Sequence, residues 1–260
     1  SSASVTAFAG SDFTGTSGTV RFETNVVETN IVVTILNDKL VESSETFTVS
    51  LGTPTGESAL GSTNSVTVTI LDDESTLEFG VAGVSVLESV GTQTVQVTRV
   101  GATDSSVTVP FTFINGSAAN GTDFTGGNGT LTFGVGISQQ SLSYTILNDS
   151  LVESNKAFAI ALGAAGGEAV LGAVTIVTVN ILDDDSVLQF PSPILNIAEN
   201  VGTLTVSVER IGATNTTVGV TLATADGLGQ PAVSTSDYGA VNTTLTFGPN
   251  ENLKSVSIVV

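Results

Sequence analysis

Apolar and polar residues alternate along most of this chain with a period of two. Between residues 93 and 99, Val95 and Val97 share one face, while Thr94, Gln96 and Thr98 share the other. A strand sends successive side chains to opposite faces, so this pattern predicts a half-buried antiparallel strand. Similar short segments recur at 75–79, 85–88, 107–115, 129–133, 139–146, 156–162 and 175–182, with Gly, Asn, Asp and Ser between them. Strands of this length and spacing predict an all-β fold of the immunoglobulin-like antiparallel sandwich type, in which two sheets share one core.

The segment 143–162 organises the rest of the chain. It reads as a strand, an acidic turn and a second strand, and the same device stands at 32–51. Asn37–Asp38 and Asn148–Asp149 lie 111 residues apart, as do Glu42 and Glu153, and as do Asp72–Asp73 and Asp183–Asp184. That period is too long for a solenoid repeat and fits a tandem of whole domains. Residues 1–75 form a partial repeat, with strands expected at 4–9, 18–23, 30–36, 45–51 and 65–71. Residues 76–185 form a complete repeat, and 186–260 restart it without the last strands. Three layouts are compatible with this pattern. The chain is part of a longer one, or subunits exchange strands head to tail and build a fibre, or the end domains are degenerate but self-sufficient.

Composition narrows the chemistry. Forty per cent of residues are hydrophobic despite a net charge of -19, so the chain has material for cores and is not disordered by composition. No apolar run reaches about 18 residues, and nothing at Ser1 resembles a signal peptide, so no direct membrane insertion is expected. Six Lys and Arg against 25 Asp and Glu make nucleic acid and anionic membranes poor partners, because both need cationic neutralisation. Divalent cations are the natural counter-ions. Cys and His are both absent, which removes thiolate chemistry, the usual zinc ligands and the usual general base near neutral pH.

In the complete repeat, Glu88 precedes a long strand and Asp123 lies in a loop. Asp149 and Glu153 flank a tight turn, and Asp183, Asp184 and Asp185 close the last strand. Loops after alternate strands of a sandwich gather at one end, so these carboxylates can converge there. Ca²⁺ takes about six to eight oxygen ligands in a tolerant geometry; Mg²⁺ demands a tighter octahedron. Like charges held together raise one another's pKa and cost stability unless a cation joins them. Any one of these acids alone reads as an ordinary solvated loop residue.

The ILND-x-LVE turns, the closing ILDDE at 70–74 and ILDDD at 181–185, the GTDF loop at 121–124 and the VLESVGT segment at 86–92 together resemble Calx-beta domains. The resemblance covers the chain as partial, full and partial repeats. It implies immunoglobulin-like sandwiches, found in sodium–calcium exchangers and in surface and matrix proteins, that bind Ca²⁺ at their distal loops. It implies as ligands Glu88, Asp123, Asp149, Glu153, Asp183, Asp184 and Asp185 in the complete repeat. The first repeat retains Asp12, Asp38, Glu42, Asp72, Asp73 and Glu74, and the last retains Glu199 and Asp237. Asn148–Asp149–Ser150 is less acidic than the exchanger turn, and Lys39 beside Asp38 competes with a cation, so fewer or weaker sites are expected.

Other features rank lower. Asn115, Asn120, Asn128, Asn148, Asn215 and Asn242 fit the glycosylation pattern but are also ordinary turn residues. Arg99 and Arg210, each before a Val/Ile-Gly-Ala-Thr turn, are expected to form structural ion pairs. Phe13, Phe124 and Tyr238 are expected to plug the sandwich end beside the acids. Together these readings describe a calcium-rigidified adhesive module of an extracellular or cell-surface protein, whose partners are neighbouring repeats, other copies of itself or matrix proteins. A self-assembling fibre subunit and a calcium-sensing regulatory domain stand as alternatives. An enzyme ranks last, for want of an aromatic-lined sugar site beside the carboxylates.

Overall fold

The computed structural model describes residues 6–228 and 232–260. The strand expected at 4–9 and the insertion at 226–230 lie partly outside them. The middle of the chain forms two five-stranded sheets, and the alternation read from the sequence sets which side chains face inward. One sheet runs in the order β4 (Gly83–Leu87), β12 (Ile176–Leu182), β10 (Lys156–Leu162), β6 (Val107–Asn115) and β8 (Gly129–Phe133). The other runs β11 (Ala169–Leu171), β3 (Ser75–Phe79), β5 (Thr92–Gly101), β9 (Gln139–Ile146) and β7 (Phe124–Thr125). Val95 and Val97 of β5 are buried, as are Val107 and Val109 of β6, Phe158 and Ile160 of β10, and Val177 and Val179 of β12. Burying each such side chain contributes roughly 1.5–3 kcal/mol, and together they form one continuous core.

Two of the strands escaped the sequence pattern. β7 and β11 have two and three residues, too few for an alternation to register. Both are edge strands, and β11 pairs with β3 in parallel, as β4 does with β12.

The first unit forms a hairpin of β1 (Glu45–Ser50) and β2 (Ser65–Ile70), with Glu45 opposite Ile70. Among the described residues the strands expected at 18–23 and 30–36 do not form ladders; an isolated bridge joins Phe13 to Ile35. Their counterparts in the middle unit are β8 and β9, which pair with β6 and β5. In this stretch of the first unit, Phe22, Val27 and Val32 are exposed.

The last unit holds a three-stranded sheet of β13 (Ser186–Gln189), β14 (Thr203–Gly212) and β17 (Leu253–Val259), and a pair of β15 (Val218–Ala223) and β16 (Asn242–Phe247). Its core is small, centred on Val208, Leu222 and Phe247. Among the described residues no helix is long and apolar enough to cross a membrane.

Candidate metal centre

Four chain segments bring acids to one end of the middle sandwich. A 3-10 turn at Glu88–Val90 leads into β5 and ends at Gly91, whose φ of 72° suits glycine. It buries Glu88 to 7% exposure. The β9–β10 turn carries Asp149 and Glu153, and the chain leaves β12 through Asp183, Asp184 and Asp185.

The loop ahead of β7 carries Asp123, whose carboxylate is partly committed to the backbone. Its Oδ2 accepts the Ala119 amide at 2.7 Å, closing a turn through Gly121 at φ 90°. The same turn recurs elsewhere: Asp12 Oδ2 accepts from Phe8 and Asp237 Oδ2 from Val233. One oxygen of each loop aspartate is therefore structural, which leaves the other to meet a side chain or an ion.

Ligand oxygens of Glu88, Asp149 and Asp185 all lie within 4.8 Å of one another. The Asp149 amide donates to Glu88 Oε1 at 3.3 Å, and the Leu151 amide donates to Asp149 Oδ1 at 2.6 Å, so the turn is braced around them. Burial pushes the Glu88 carboxyl above its ordinary value; the Asp149 amide opposes this, and the charges of Asp149, Asp185 and Asp183 add to the rise. Asp185 is raised first by burial, then by Asp183, Asp184, Asp149 and Glu153. Asp183 Oδ1, Asp184 Oδ1 and Asp185 Oδ2 are buried and have no hydrogen-bond partner among the described residues. Buried oxygens of one charge sign with nothing to accept from are the donor set a hard cation requires, so these residues fit Ca²⁺.

Asp123 and Glu153 lie in the same cleft but have an internal counter-ion. Lys156, the first residue of β10, donates from Nζ to Asp123 Oδ1 at 2.6 Å and also to Glu153 Oε2. Partial burial alone would raise Asp123, but the Lys156 ammonium and the Ala119 amide hold it below the usual carboxylate range. Hydrogen bonds to the two acids in turn hold Lys156 well above the ordinary lysine range. The sequence reading missed Lys156; its place three residues after Glu153 was the available signal.

The first unit repeats the cleft with one exchange. Position 45 corresponds to 156, and it holds Glu45. Oxygens of Asp12, Glu42 and Glu45 lie within 4.8 Å of one another. Asp38, Asp72, Asp73 and Glu74 line the same cleft. Asp72 Oδ1 accepts the Glu42 amide at 2.9 Å and Asp38 Oδ1 the Leu40 amide at 2.7 Å. Desolvation raises the Glu45 carboxyl, and Asp12, Glu42 and Asp38 raise it further. Glu74 is 5% exposed with Oε1 unpartnered. Burial is the main reason its carboxyl is raised, and Asp73 adds to it. Glu45 was also absent from the sequence-derived set. Lys39 does not compete for the cleft as expected: its Nζ reaches Gly167 O of the middle unit at 3.4 Å.

In the last unit, Glu199 and Asp237 are exposed. Among the described residues they belong to no group of three acids close enough to share an ion. Phe124 is fully buried and stacks on Phe158 with centroids 3.7 Å apart, and Phe13 stacks on Phe47 at 4.2 Å. Tyr238 instead donates its hydroxyl to Asp226 at 2.7 Å. Among the described residues Arg99 and Arg210 form no ion pair; their guanidinium groups donate to serine and threonine oxygens and to carbonyls.

A family model described as the Calx-beta domain matches residues 1–74, 72–185 and 183–260. The sodium/calcium exchanger Calx of Drosophila melanogaster is 29% identical over 191 residues, which is 73% of this chain and 20% of that protein. Extracellular matrix protein 3 of Lytechinus variegatus is 29% identical across 98% of this chain and 9% of its own length. A crystal structure of CBD12 from CALX1.2 aligns with a TM-score of 0.45 at 29% identity, over 71% of this chain and 75% of that one. The chain thus spans a fifth or less of the curated relatives described.

Proposed function

The chain belongs to the Calx-beta domain family, and from that premise we propose that it is a non-catalytic, calcium-stiffened tandem module of a surface or matrix protein. Calx-beta domains are calcium-binding modules. The observation that carries the reading here is the Glu88–Asp149–Asp185 group beside three buried, unpartnered aspartate oxygens. Without a cation, these charges repel in a poorly solvated place; with one, each oxygen gains a ligand bond. An ion bound only by the folded state stabilises it by mass action, about 2.7 kcal/mol at a hundredfold excess over Kd.

The exchange between Lys156 and Glu45 supports two kinds of site. In the middle unit, the Lys156 ammonium offsets one of the two charges of Asp123 and Glu153 and bridges both, leaving Glu88, Asp149 and the three exit aspartates for Ca²⁺. In the first unit, Glu45 adds a third acid where the lysine would stand, so that cleft depends wholly on bound cations. The acids sit where one unit hands over to the next, so an ion there stiffens the junction. An extracellular setting is supported by the kinship with an extracellular matrix protein.

Calorimetric titration of the chain with CaCl₂, paired with thermal melts in chelator and in millimolar Ca²⁺, tests the reading. Binding heat and a rise in Tm are expected, both reduced by Glu88→Gln. The absence of heat and of any melting shift at millimolar Ca²⁺ would sink it.

A further inference from the structure

The Arg-Val/Ile-Gly-Ala-Thr elements at 99–103 and 210–214 have no part in the proposed sites, yet each lies against the closing acid of the unit before it. Arg210 is 4% exposed. Its Nε donates to Ser186 Oγ at 3.0 Å, and its Nη1 and Nη2 donate to Thr216 O at 2.8 Å and Thr216 Oγ1 at 3.2 Å. Three residues on, the Ala213 amide donates to Asp185 O at 2.8 Å. Between them Gly212, at φ 103°, passes so close that a Cβ would stand 2.7 Å from that same carbonyl.

The earlier junction has the same arrangement. Arg99 is 3% exposed and donates from Nε to Ser75 Oγ at 3.0 Å and from Nη1 to Ser105 O at 2.8 Å. The Ala102 amide donates to Glu74 O at 2.9 Å, and a Cβ on Gly101 would lie 2.6 Å from it.

Burying a guanidinium against neutral oxygens is costly, so the fold keeps it for its shape. A planar fork with five donors ties a strand start and a loop together in one geometry, which no apolar residue or lysine reproduces. What the fork ties down is the residue directly after Asp185 or Glu74. Those two acids carry buried side-chain oxygens without hydrogen-bond partners, so their aim is set through the backbone.

We propose that Arg99 and Arg210 are positioning residues for the cation sites of the preceding units: Arg210 fixes Asp185 of the middle unit, and Arg99 fixes Glu74 of the first. The proposal rests on the calcium reading above. Affinity at each site then depends on the unit that follows it. The second junction is gripped further, through Asn215 Nδ2 on Asp183 O at 3.5 Å and Thr216 Oγ1 on Asp184 O at 3.4 Å.

The test is a Ca²⁺ titration of the whole chain followed residue by residue through its amide NMR signals, with Asp149 reporting the middle site and Asp38 the first. Arg210→Lys should weaken the midpoint at Asp149 about tenfold, the low end of what loss of a ligand's supporting hydrogen bonds costs, and leave Asp38 unchanged. In chelator, the same variant should speed hydrogen exchange of the Ala213 amide, a readout that needs no ion. Ser186→Ala removes only the receiving hydroxyl; it should shift the Asp149 midpoint the same way, and it decides the matter if Arg210→Lys unfolds the last unit. A midpoint within twofold of the parent in the folded variants overturns the positioning role while leaving the calcium reading intact. Amide signals of the parent chain that ignore millimolar Ca²⁺ overturn both.

Discussion

Lys156 Nζ lies 2.6 Å from Oδ1 of Asp123, a residue 33 positions earlier in the chain. This contact places a fixed cation inside a cleft whose other charged walls, Glu88, Asp123, Glu153 and Asp183, are all acids, and the first unit carries Glu45 at the equivalent position. The balance between internal and external cations therefore differs between two copies of one motif.

Replacing Lys156 should expose that balance. Lys156→Met leaves Asp123 and Glu153 without their counter-charge and should destabilise the chelated middle unit by about 2 kcal/mol. This is less than the ~3–5 kcal/mol for breaking a fully buried pair, because Lys156 is 22% exposed. Lys156→Glu, which copies Glu45, should lower the Tm further in chelator, yet take up additional Ca²⁺ in a calorimetric titration. Melts of both variants with and without Ca²⁺ check the prediction.

The pH dependence has two opposing parts. Glu88, Asp185 and Glu74 have folded-state pKa values raised above the ordinary 4.5 or 3.8, chiefly by burial. The folded chain thus binds more protons than the unfolded one just above that range, and chelated stability falls as pH rises through it. Asp123 is held low by Lys156, so its contribution is present above the ordinary aspartate value and is lost as pH falls through the depressed one. Chelated protein should therefore be more stable near pH 5 than at pH 7, and Ca²⁺ should abolish the difference. Urea melts across that range provide the measurement.

Thr235 holds φ 79°, where the matching turns of the other units have Gly10 at 99° and Gly121 at 90°. A β-branched residue in the left-handed region carries strain of about 1–2 kcal/mol. Thr235→Gly should recover roughly 1 kcal/mol, part of the gain being offset by glycine's larger unfolded-state entropy. A higher denaturant midpoint with an unchanged slope is the expected result.

Gly212→Ala should do the reverse. Its φ of 103° disfavours a side chain, and the new Cβ would press on both Asp185 O and Val152. A loss of about 2–4 kcal/mol is expected from strain and overpacking together, read as a lower Tm with the middle site's Ca²⁺ affinity reduced alongside it.

Much of the fold was legible in the chain because each unit buries alternate residues, and burial writes a period of two into the sequence. Phe158 and Ile160, or Val177 and Val179, could be assigned to one core face without coordinates. The segments at 18–23 and 30–36 show the limit of that signal. They alternate as β8 and β9 do, but a strand needs a partner to form a ladder, and the pattern carries no information about whether one is present.

The site divides along the same line. Recurrence at a spacing of 111 marked Asp38 and Asp149, Glu42 and Glu153, and the paired exit aspartates, since a duplicated loop keeps its acids in register. Which of those acids share a centre is decided by loops meeting across the end of a sandwich, and only the tertiary structure joins Glu88 to Asp149 and Asp185. It also assigned Lys156 to Asp123, left Glu45 facing Asp12 and Glu42, turned Lys39 away towards Gly167, and gave two buried arginines neutral partners. A sequence states the charges a chain carries. The cost or benefit of each depends on its distance to the others and on the water excluded between them, and those two quantities exist only in the folded chain.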